Sequence, residues 1–556
     1  VPEKMIAIRP EDRYSQREFE EFRAKGHWDS HSLAHYIDLW AAADPDRLAL
    51  TDNHSELTRG ELRAQAYRLA LALRKLGVVA GDRVQVQLPN WNEFVVIYVA
   101  LARIGAVLVP TMPVYRGDEV KFVIDNSGAK ISIVTSDFRS FNYADMIADI
   151  RKTTPAIENV IVVRGTATGD DLSYDDLIAG DDVPTDEELG PVPHPDAAHA
   201  VIYTSGTESR PKGCQHTFAT MSFTARRLAI DVFALTEDDV MFMPTPITHA
   251  TGLAAGILMP LMHGAGVHLI DVWEPHEGLR QIARYRTTIS MAATPFLQMA
   301  LGALKADPTH DISSMRIWAS AGAPIPEAML TDWRSLIPGC LALPVYGNSE
   351  ALVVTAMRYD DPPHKVVSTD GRPPEGVHLE IRDEAGNALP PGKEGEIKFT
   401  SPGMLLGYWN DPVKTAATIG PDGFFATGDL GRVDVDGFLR VTGRIKDIII
   451  RGGLNISARE VEENAAMHPN IAAIAAVSMP DERLGEKVCA FIVADGPELT
   501  VAELAAFLQG ERHIAPPKCP EKIIYVSELP TTATGKVKKF ELRQIAAASL
   551  LVDATR

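Results

Sequence analysis

Two kinds of hydrophobic spacing alternate along the first half of the chain. In Thr58-Arg59-Gly60-Glu61 a hydroxyl is followed three residues later by a carboxylate, the arrangement that satisfies free amides at a helix start. Leu62, Ala66, Leu69, Leu73 and Leu76 then recur every three or four positions, one helical stripe, and Gly77 closes it. Val84, Val86 and Leu88 follow with a period of two and predict a strand. The same order returns as a helix over 93–104, strands through 106–109 and 131–134, and a strand over 160–163 after a further helix. Strands alternating with helices predict parallel pairing through crossovers, so an α/β fold of layered βαβ sheets, covered by helices on both faces, is expected.

The pattern changes near residue 370. From there to 445, short strands separated by turns such as Glu384-Ala385-Gly386-Asn387 and Pro390-Pro391-Gly392 predict a small antiparallel β subdomain. Beyond Gly443-Arg444, Ser457-Ala458-Arg459-Glu460 is another capping box, opening a helix that stops before Pro469. Strands near 472–477 and 488–493 and a helix from Val501, capped by Thr500, complete an α+β unit. It ends in a basic tail with Lys536, Lys538, Lys539 and Arg543. The expected division is 1–445, with the β subdomain at about 370–445, and 446–556.

Size and charge narrow the partners. A chain of 556 residues exceeds one ordinary core, and its 46% hydrophobic content is that of a globular protein. With 54 basic against 74 acidic residues the net charge is −20, which argues against nucleic acid or an anionic membrane surface. A polyanionic ligand must therefore be gripped locally. No apolar run approaches bilayer length and Val1-Pro2-Glu3-Lys4 lacks a basic-then-apolar leader, so no membrane span and a cytoplasmic location are expected. Cys214, Cys340, Cys489 and Cys519 form no Cys-x-x-Cys pair, which indicates neither a disulfide framework nor zinc. Cys214 reads as a small buried residue.

The candidate chemistry begins at residues 203–213, Tyr-Thr-Ser-Gly-Thr-Glu-Ser-Arg-Pro-Lys-Gly, after the apolar run 198–202. Thr204, Ser205 and Thr207 offer hydroxyls, Gly206 lets backbone amides approach phosphate oxygens, and Lys212 supplies a mobile cation. Lys212 stands between Pro211 and Gly213, so the segment is not the ordinary NTPase loop, and an extended loop rather than a helix start is expected. Ala321-Gly322-Ala323-Pro324 is a small-residue turn against which a flat ring could lie. Tyr346-Gly347-Asn348-Ser349-Glu350 groups an aromatic face, a hydroxyl and a carboxylate suited to magnesium. Thr427-Gly428-Asp429 and Gly443-Arg444 add an acid and a base at glycine turns. Each segment taken singly reads as a turn or a solvated charge.

Their order resembles the adenylate-forming superfamily of acyl- and aryl-CoA synthetases, adenylation domains and beetle luciferases. The resemblance covers essentially the whole chain and rests on 203–213, 346–350, 427–429, 443–460 and Leu529-Pro530-Thr531-Thr532-Ala533-Thr534-Gly535-Lys536. Around Gly26-His27-Trp28, Thr248-His249-Ala250-Thr251-Gly252 and Arg451-Gly452-Gly453-Leu454-Asn455-Ile456-Ser457 it is similar to bacterial medium- and short-chain acyl-CoA synthetases and cyclohexanecarboxylate-CoA ligases. The resemblance implies an enzyme that joins a carboxylate to ATP, releases pyrophosphate and passes the acyl group from AMP to coenzyme A. It implies Lys536 between the carboxylate and the α-phosphate, Glu350 with Thr207 on Mg2+, and Ser349 and Thr207 on phosphate oxygens. Lys212 and its neighbouring hydroxyls would hold the departing phosphates, Asp429 and Arg444 the ribose, and Tyr346 the adenine, beside the 321–324 turn, Gly347 and Asn348. Rotation of the small domain about Lys446 would replace Lys536 by Arg451, Gly452 and Gly453 along the CoA tunnel.

Three positions depart from the family pattern. Glu208-Ser209 stands where Thr-Gly is usual, Ser349 replaces Thr, and Pro246-Ile247-Thr248-His249-Ala250 lacks the Asn of hydroxybenzoate-activating relatives, which disfavours a phenolic acid. By resemblance the acyl pocket takes His249, Ala250, Thr251, Ala254, Ala292, Ala293, Ala321, Gly322 and Asn348, most of them small and none charged. An ionised tail would find no partner there, so a hydrophobic medium-chain, alicyclic or terpenoid acid is expected. Alanine is also simply common in this chain. Loading of a carrier protein remains the alternative to CoA ligation, and a homodimer is compatible with either.

Overall fold

The computed structural model describes residues 7–204, 210–323, 325–532 and 536–553. Eight strands form the first sheet, in the order Gly407–Tyr408, Lys212–Thr217, Ala198–Thr204, Val107–Pro110, Arg83–Gln87, Ile131–Thr135, Asn159–Val163 and Leu172–Ser173. Pairing is parallel from Ala198–Thr204 outward to Leu172–Ser173, and antiparallel on the other side. The second sheet runs Thr355–Ala356, Leu341–Tyr346, Ile317–Ala321, Ile289–Ala293, Val240–Met243, Gly266–Leu269, Leu48–Thr51 and Glu56–Thr58, parallel except at its two edges. The α/β fold is thus two such sheets with helices between and around them.

The capping box at Thr58 forms as the spacing requires, with Thr58 and Glu61 exchanging bonds, and Leu62, Ala66, Leu69 and Leu73 are buried. The helix Asn92–Ile104 is buried on every side, which explains why its sequence is apolar all round rather than striped. It shares one apolar cluster with residues of both sheets. In the Arg83–Gln87 strand the alternation does not mark a solvent face. Gln85 and Gln87 are fully buried, Gln85 accepting from Ser132 and Gln87 donating to the carbonyls of Met112 and Tyr115. Each amide is thus partnered through one of its two polar atoms, Gln85 through Oε1 and Gln87 through Nε2.

Two smaller sheets follow. His378–Arg382, Gly395–Thr400, Phe425–Val433 and Leu439–Arg444 make the antiparallel sheet expected between 370 and 445. The C-terminal domain sheet runs Leu454–Ser457, Ile448–Arg451, Gly485–Ala494 and Ile471–Asp481, with Lys522–Tyr525 added in parallel to Gly485–Ala494. Only half of the Ser457 capping box forms. Ser457 accepts from the amide of Glu460, but the Glu460 carboxylate turns to Lys518 at 2.7 Å. All four cysteines are buried and free. Among the described residues no helix is long and apolar enough to cross a membrane.

Three buried histidines are held neutral. Burial pushes His199 down to about 3, and His216 and His268 down to about 4, from an ordinary value of 6.5. His268 faces Thr51 at 2.7 Å on Nδ1 and Gln281 at 2.7 Å on Nε2, a pairing that suits the uncharged ring. As pH falls from 6.5 towards 4, the unfolded chain binds protons that the folded chain excludes, so stability declines across that window. At its steepest the slope approaches about 1.4 kcal/mol per pH unit for each ring. Thermal unfolding should therefore show Tm falling between pH 7 and pH 5, and a flat Tm would contradict this reading.

Candidate active site

The strands Ile317–Ala321 and Leu341–Tyr346 lie side by side in parallel, so their C-terminal ends reach the same edge of the second sheet. Each leaves it through a glycine. Gly322 has φ +87°, and a Cβ at Gly347 would lie 2.1 Å from the Leu352 carbonyl oxygen, so a side chain is excluded there. The chain then folds back tightly: the amides of Leu352 and Ala351 donate to the Asn348 carbonyl and side-chain oxygen at 2.7 and 2.9 Å. Ser349 and Glu350 sit at the tip of this turn. His216 Nε2, from Lys212–Thr217, donates to the Ser349 carbonyl at 2.9 Å, and the Leu405 amide donates to the Glu350 carbonyl at 2.6 Å.

The third sheet supplies the next pair. Asp429 and Arg444 are register partners across Phe425–Val433 and Leu439–Arg444, and Arg444 Nε donates to Asp429 Oδ1 at 2.9 Å. The second oxygen of Asp429 accepts from the Tyr346 hydroxyl at 2.6 Å. Burial, then the Asp429 charge, raises the Tyr346 phenol well above its ordinary value. Burial opposes the Arg444 charge, but Asp429 and Asp447 outweigh it and raise its pKa.

Lys536 enters the same cavity of about 300 Å3, lined by Gly322, Ala323, Tyr346, Gly347, Asn348, Asp429, Arg444 and Lys446. A Cβ at Gly322 would stand 3.8 Å from Lys536 Cε. Burial and the Arg444 charge lower the Lys536 pKa, while Asp429 and Glu350 pull it up. Its backbone is fixed by Thr532, whose amide donates to the Lys536 carbonyl at 2.7 Å and whose Oγ1 accepts from the Lys536 amide at 3.1 Å. Burial and then the Lys536 charge push His249 down to about 4, although His249 is not among the residues lining this cavity. Thr251 donates its amide to His249 Nδ1 at 3.3 Å, and the wide-turned helix Gly252–Leu258 follows, a form frequent at functional sites. Ala293 and Ala321 are register partners at the ends of adjacent strands.

A second group lies at the antiparallel edge of the first sheet. Lys212 starts a strand, paired with Thr204, instead of standing in a loop, as its Pro-Lys-Gly setting only partly indicated. Its Nζ lies 5.7 Å from the centre of the Tyr408 ring, and the Tyr408 hydroxyl donates to Glu350 Oε1 at 2.7 Å. Burial, then the neighbouring Lys414 charge, lowers the Lys212 pKa, with Glu350 opposing. Tyr408, Lys414 and His216 escaped the sequence reading because no local motif marks them. The pairing of Gly407–Tyr408 with Lys212–Thr217, distant in sequence, is what brings them in.

Other expected residues are placed differently. Ser205, Gly206, Thr207, Pro324 and residues 533–535 lie outside the described residues. Ala292 is fully buried in a separate apolar cluster, and Ala250 and Ala254 are packed in the main one. Asp429 and Arg444 are paired with each other. Arg451 is held by both oxygens of Glu521, at 3.1 and 2.9 Å, and Gly452 donates its amide to Leu484. Neither they nor Gly453 line the Lys536 cavity. Among the described residues no three His, Cys, Asp or Glu side chains gather as a metal cluster. A magnesium ion here would take Glu350 as a protein ligand and most of its oxygens from phosphates, the usual mode for this ion.

Comparison with known proteins agrees with this geometry. Residues 37–409 match the AMP-binding enzyme family and residues 460–536 match the AMP-binding enzyme C-terminal domain. The chain belongs to this family, within the adenylate-forming superfamily, and is an AMP-forming acid–thiol ligase. It is 36% identical over 527 residues to the medium-chain fatty-acid–CoA ligase of Escherichia coli (strain K12), covering 94% of this chain and 92% of that protein. It is 32% identical over 546 residues to the salicyl-AMP ligase / salicyl-S-ArCP synthetase of Mycobacterium tuberculosis (strain ATCC 25618 / H37Rv), covering 96% and 94%. The crystal structure of the anthranilate CoA ligase AuaEII in complex with anthranoyl-AMP superposes with a TM-score of 0.85 at 26% identity, covering 94% and 98%.

Tyr408 is buried, so removing its hydroxyl leaves a carboxylate oxygen of Glu350 without a donor. Tyr408→Phe should cost about 1.5–3 kcal/mol of stability in urea unfolding, the range for a hydrogen bond to a charged group. An unchanged midpoint would show that water replaces the phenol.

Proposed function

We propose that this ligase adenylates a hydrophobic carboxylic acid and transfers the acyl group to coenzyme A. One observation carries the reading: Lys536, supplied by the C-terminal domain, shares a cavity with Tyr346, Asp429 and Arg444 and feels the charge of Glu350. A carboxylate approaching an α-phosphorus is repelled by the phosphate oxygens, and a desolvated ammonium between them lowers that barrier. Lys536 is assigned that screening role, Asp429 and Arg444 the ribose, Tyr346 the adenine face beside Gly322–Ala323, and Lys212 the leaving phosphates. Glu350, with Thr207, would hold Mg2+, which neutralises phosphate charge when bound. The substrate oxygen bonds to the α-phosphorus as the bond to the bridging oxygen breaks and pyrophosphate departs. In the second step the CoA sulfur, its proton lost, attacks the acyl carbon and AMP leaves.

The division at Lys446 and the placement of Arg451, Gly452 and Gly453 at the CoA tunnel belong to the same proposal. Their separation from the Lys536 cavity supports a domain that turns between steps. Neutral His249 and the small residues Thr251, Ala293 and Ala321 support an uncharged acyl group, medium-chain, alicyclic or terpenoid. The likeness to a medium-chain fatty-acid–CoA ligase supports CoA as acceptor. The likeness to a salicyl-S-ArCP synthetase supports a second reading, loading of a carrier protein.

Thioester formation is to be measured for octanoate, cyclohexanecarboxylate and a polycyclic acid, with CoA or a holo carrier protein as acceptor. Turnover with CoA and a preference for these acids over acetate is expected; thioester only on the carrier, or preference for acetate, would overturn the corresponding half of the proposal. Lys536→Ala should lower acyl-AMP formation by at least about 100-fold, yet spare thioester formation from supplied acyl-AMP. Equal loss of both steps would refute the separate roles.

A further inference from the structure

Four charges meet where the C-terminal domain touches the third sheet. Arg440, on the strand Leu439–Arg444, donates through Nη2 to both oxygens of Glu463, at 2.9 and 3.0 Å. Arg459, at the start of the helix Ala458–Ala465, donates through Nε to Glu463 Oε1 at 2.8 Å. Asp370 completes the group, 3.8 Å from Arg440 and 3.7 Å from Arg459, with its Oδ2 fixed by the Val441 amide at 2.9 Å. Asp370 and Arg440 come from the larger part of the chain, Arg459 and Glu463 from the C-terminal domain, and the four charges cancel.

The setting gives these pairs weight. Side-chain exposure is 11% for Arg459, 13% for Asp370, 26% for Arg440 and 36% for Glu463, so solvent screens them only in part. The contact is also coupled to Lys536. Glu462, next to Glu463 on the same helix, is paired at 2.7 Å with Lys539, three residues after Lys536. Ser457 Oγ, at the cap of the helix, donates across the junction to the Thr442 carbonyl at 2.7 Å. Asp370 itself lines the cavity that Lys536 enters. Meanwhile the C-terminal domain has apolar clusters of its own, around Leu504 and Leu508 and around Phe491 and Leu542, which contain none of the four charges. Breaking the cluster therefore loosens docking without removing the core of the domain.

We propose that Asp370, Arg440, Arg459 and Glu463 form an ionic dock that seats the helix Ala458–Ala465 and so delivers Lys536 to its cavity. Arg459 and Glu463 are positioning residues for the acyl-adenylate step and take no part in thioester formation. The inference rests on the adenylating role given to Lys536 above.

The test compares the two half-reactions in the full-length enzyme. Glu463→Gln should slow acyl-AMP formation about tenfold while leaving thioester formation from supplied acyl-AMP and CoA unchanged, a result that also reports an intact fold. Arg440→Gln should behave alike, and the double variant should lose less than the product of the two single losses, because both remove the Arg440–Glu463 pair. Added KCl should inhibit acyl-AMP formation by the parent enzyme more steeply than by Glu463→Gln. Undiminished acyl-AMP formation, equal loss of both half-reactions, or additive losses in the double variant would overturn the dock. Lys536→Ala separates the causes. If it loses acyl-AMP formation and Glu463→Gln does not, the dock alone fails; if it retains acyl-AMP formation, the role of Lys536 fails and the dock with it.

Discussion

An ammonium withdrawn from water has to be balanced by nearby anions, and the placement of Lys536 depends on how that balance is met. Burial and Arg444 disfavour its charge, while Asp429 and Glu350 restore it. These groups come from three different parts of the fold. Asp429 and Arg444 are set opposite each other by one rung of an antiparallel ladder, and Glu350 by a turn that glycine alone permits at 347. A cavity that is short of compensating charge without ligand is one in which an anion binds favourably, and this is the physical basis for reading it as a phosphate site.

The rest of the architecture serves that convergence. Parallel strands deliver their C-terminal ends to one edge, so two consecutive strand ends present Gly322 and Tyr346 to the same space. The first sheet contributes through its antiparallel margin, where Lys212, Tyr408 and Glu350 are linked by a ring contact and a hydrogen bond. His216 joins the two groups, since its strand carries Lys212 and its imidazole holds the Ser349 carbonyl. The C-terminal domain then adds Lys536 to this cavity.

Much of this was legible in the residues. Helix and strand periods gave the layered α/β fold, and the change of pattern near 370 marked the third sheet. The small-residue turns at 322 and 347, and the Asp429 and Arg444 segments, were visible because glycines and isolated charges stand out against apolar strands. What escaped was long-range pairing. Nothing local at Lys414, Tyr408 or His216 announces their neighbours, and the alternation at Val84–Leu88 concealed buried glutamines whose partners lie elsewhere. The Ser457 box shows the same limit: the spacing foretold the cap, but Lys518, far along the chain, claims the Glu460 carboxylate. The sequence around the His249 segment offered only an absence of charge, on which the proposed hydrophobic acid rests.

In the proposed reaction this site cleaves ATP at the α-phosphorus against a carboxylate, with Lys536 as the decisive cation. Exchange of labelled pyrophosphate into ATP, measured without CoA, tests it most directly. Exchange should depend on a hydrophobic carboxylic acid and vanish with Lys536→Ala. Exchange independent of any acid, or undiminished without Lys536, would contradict it.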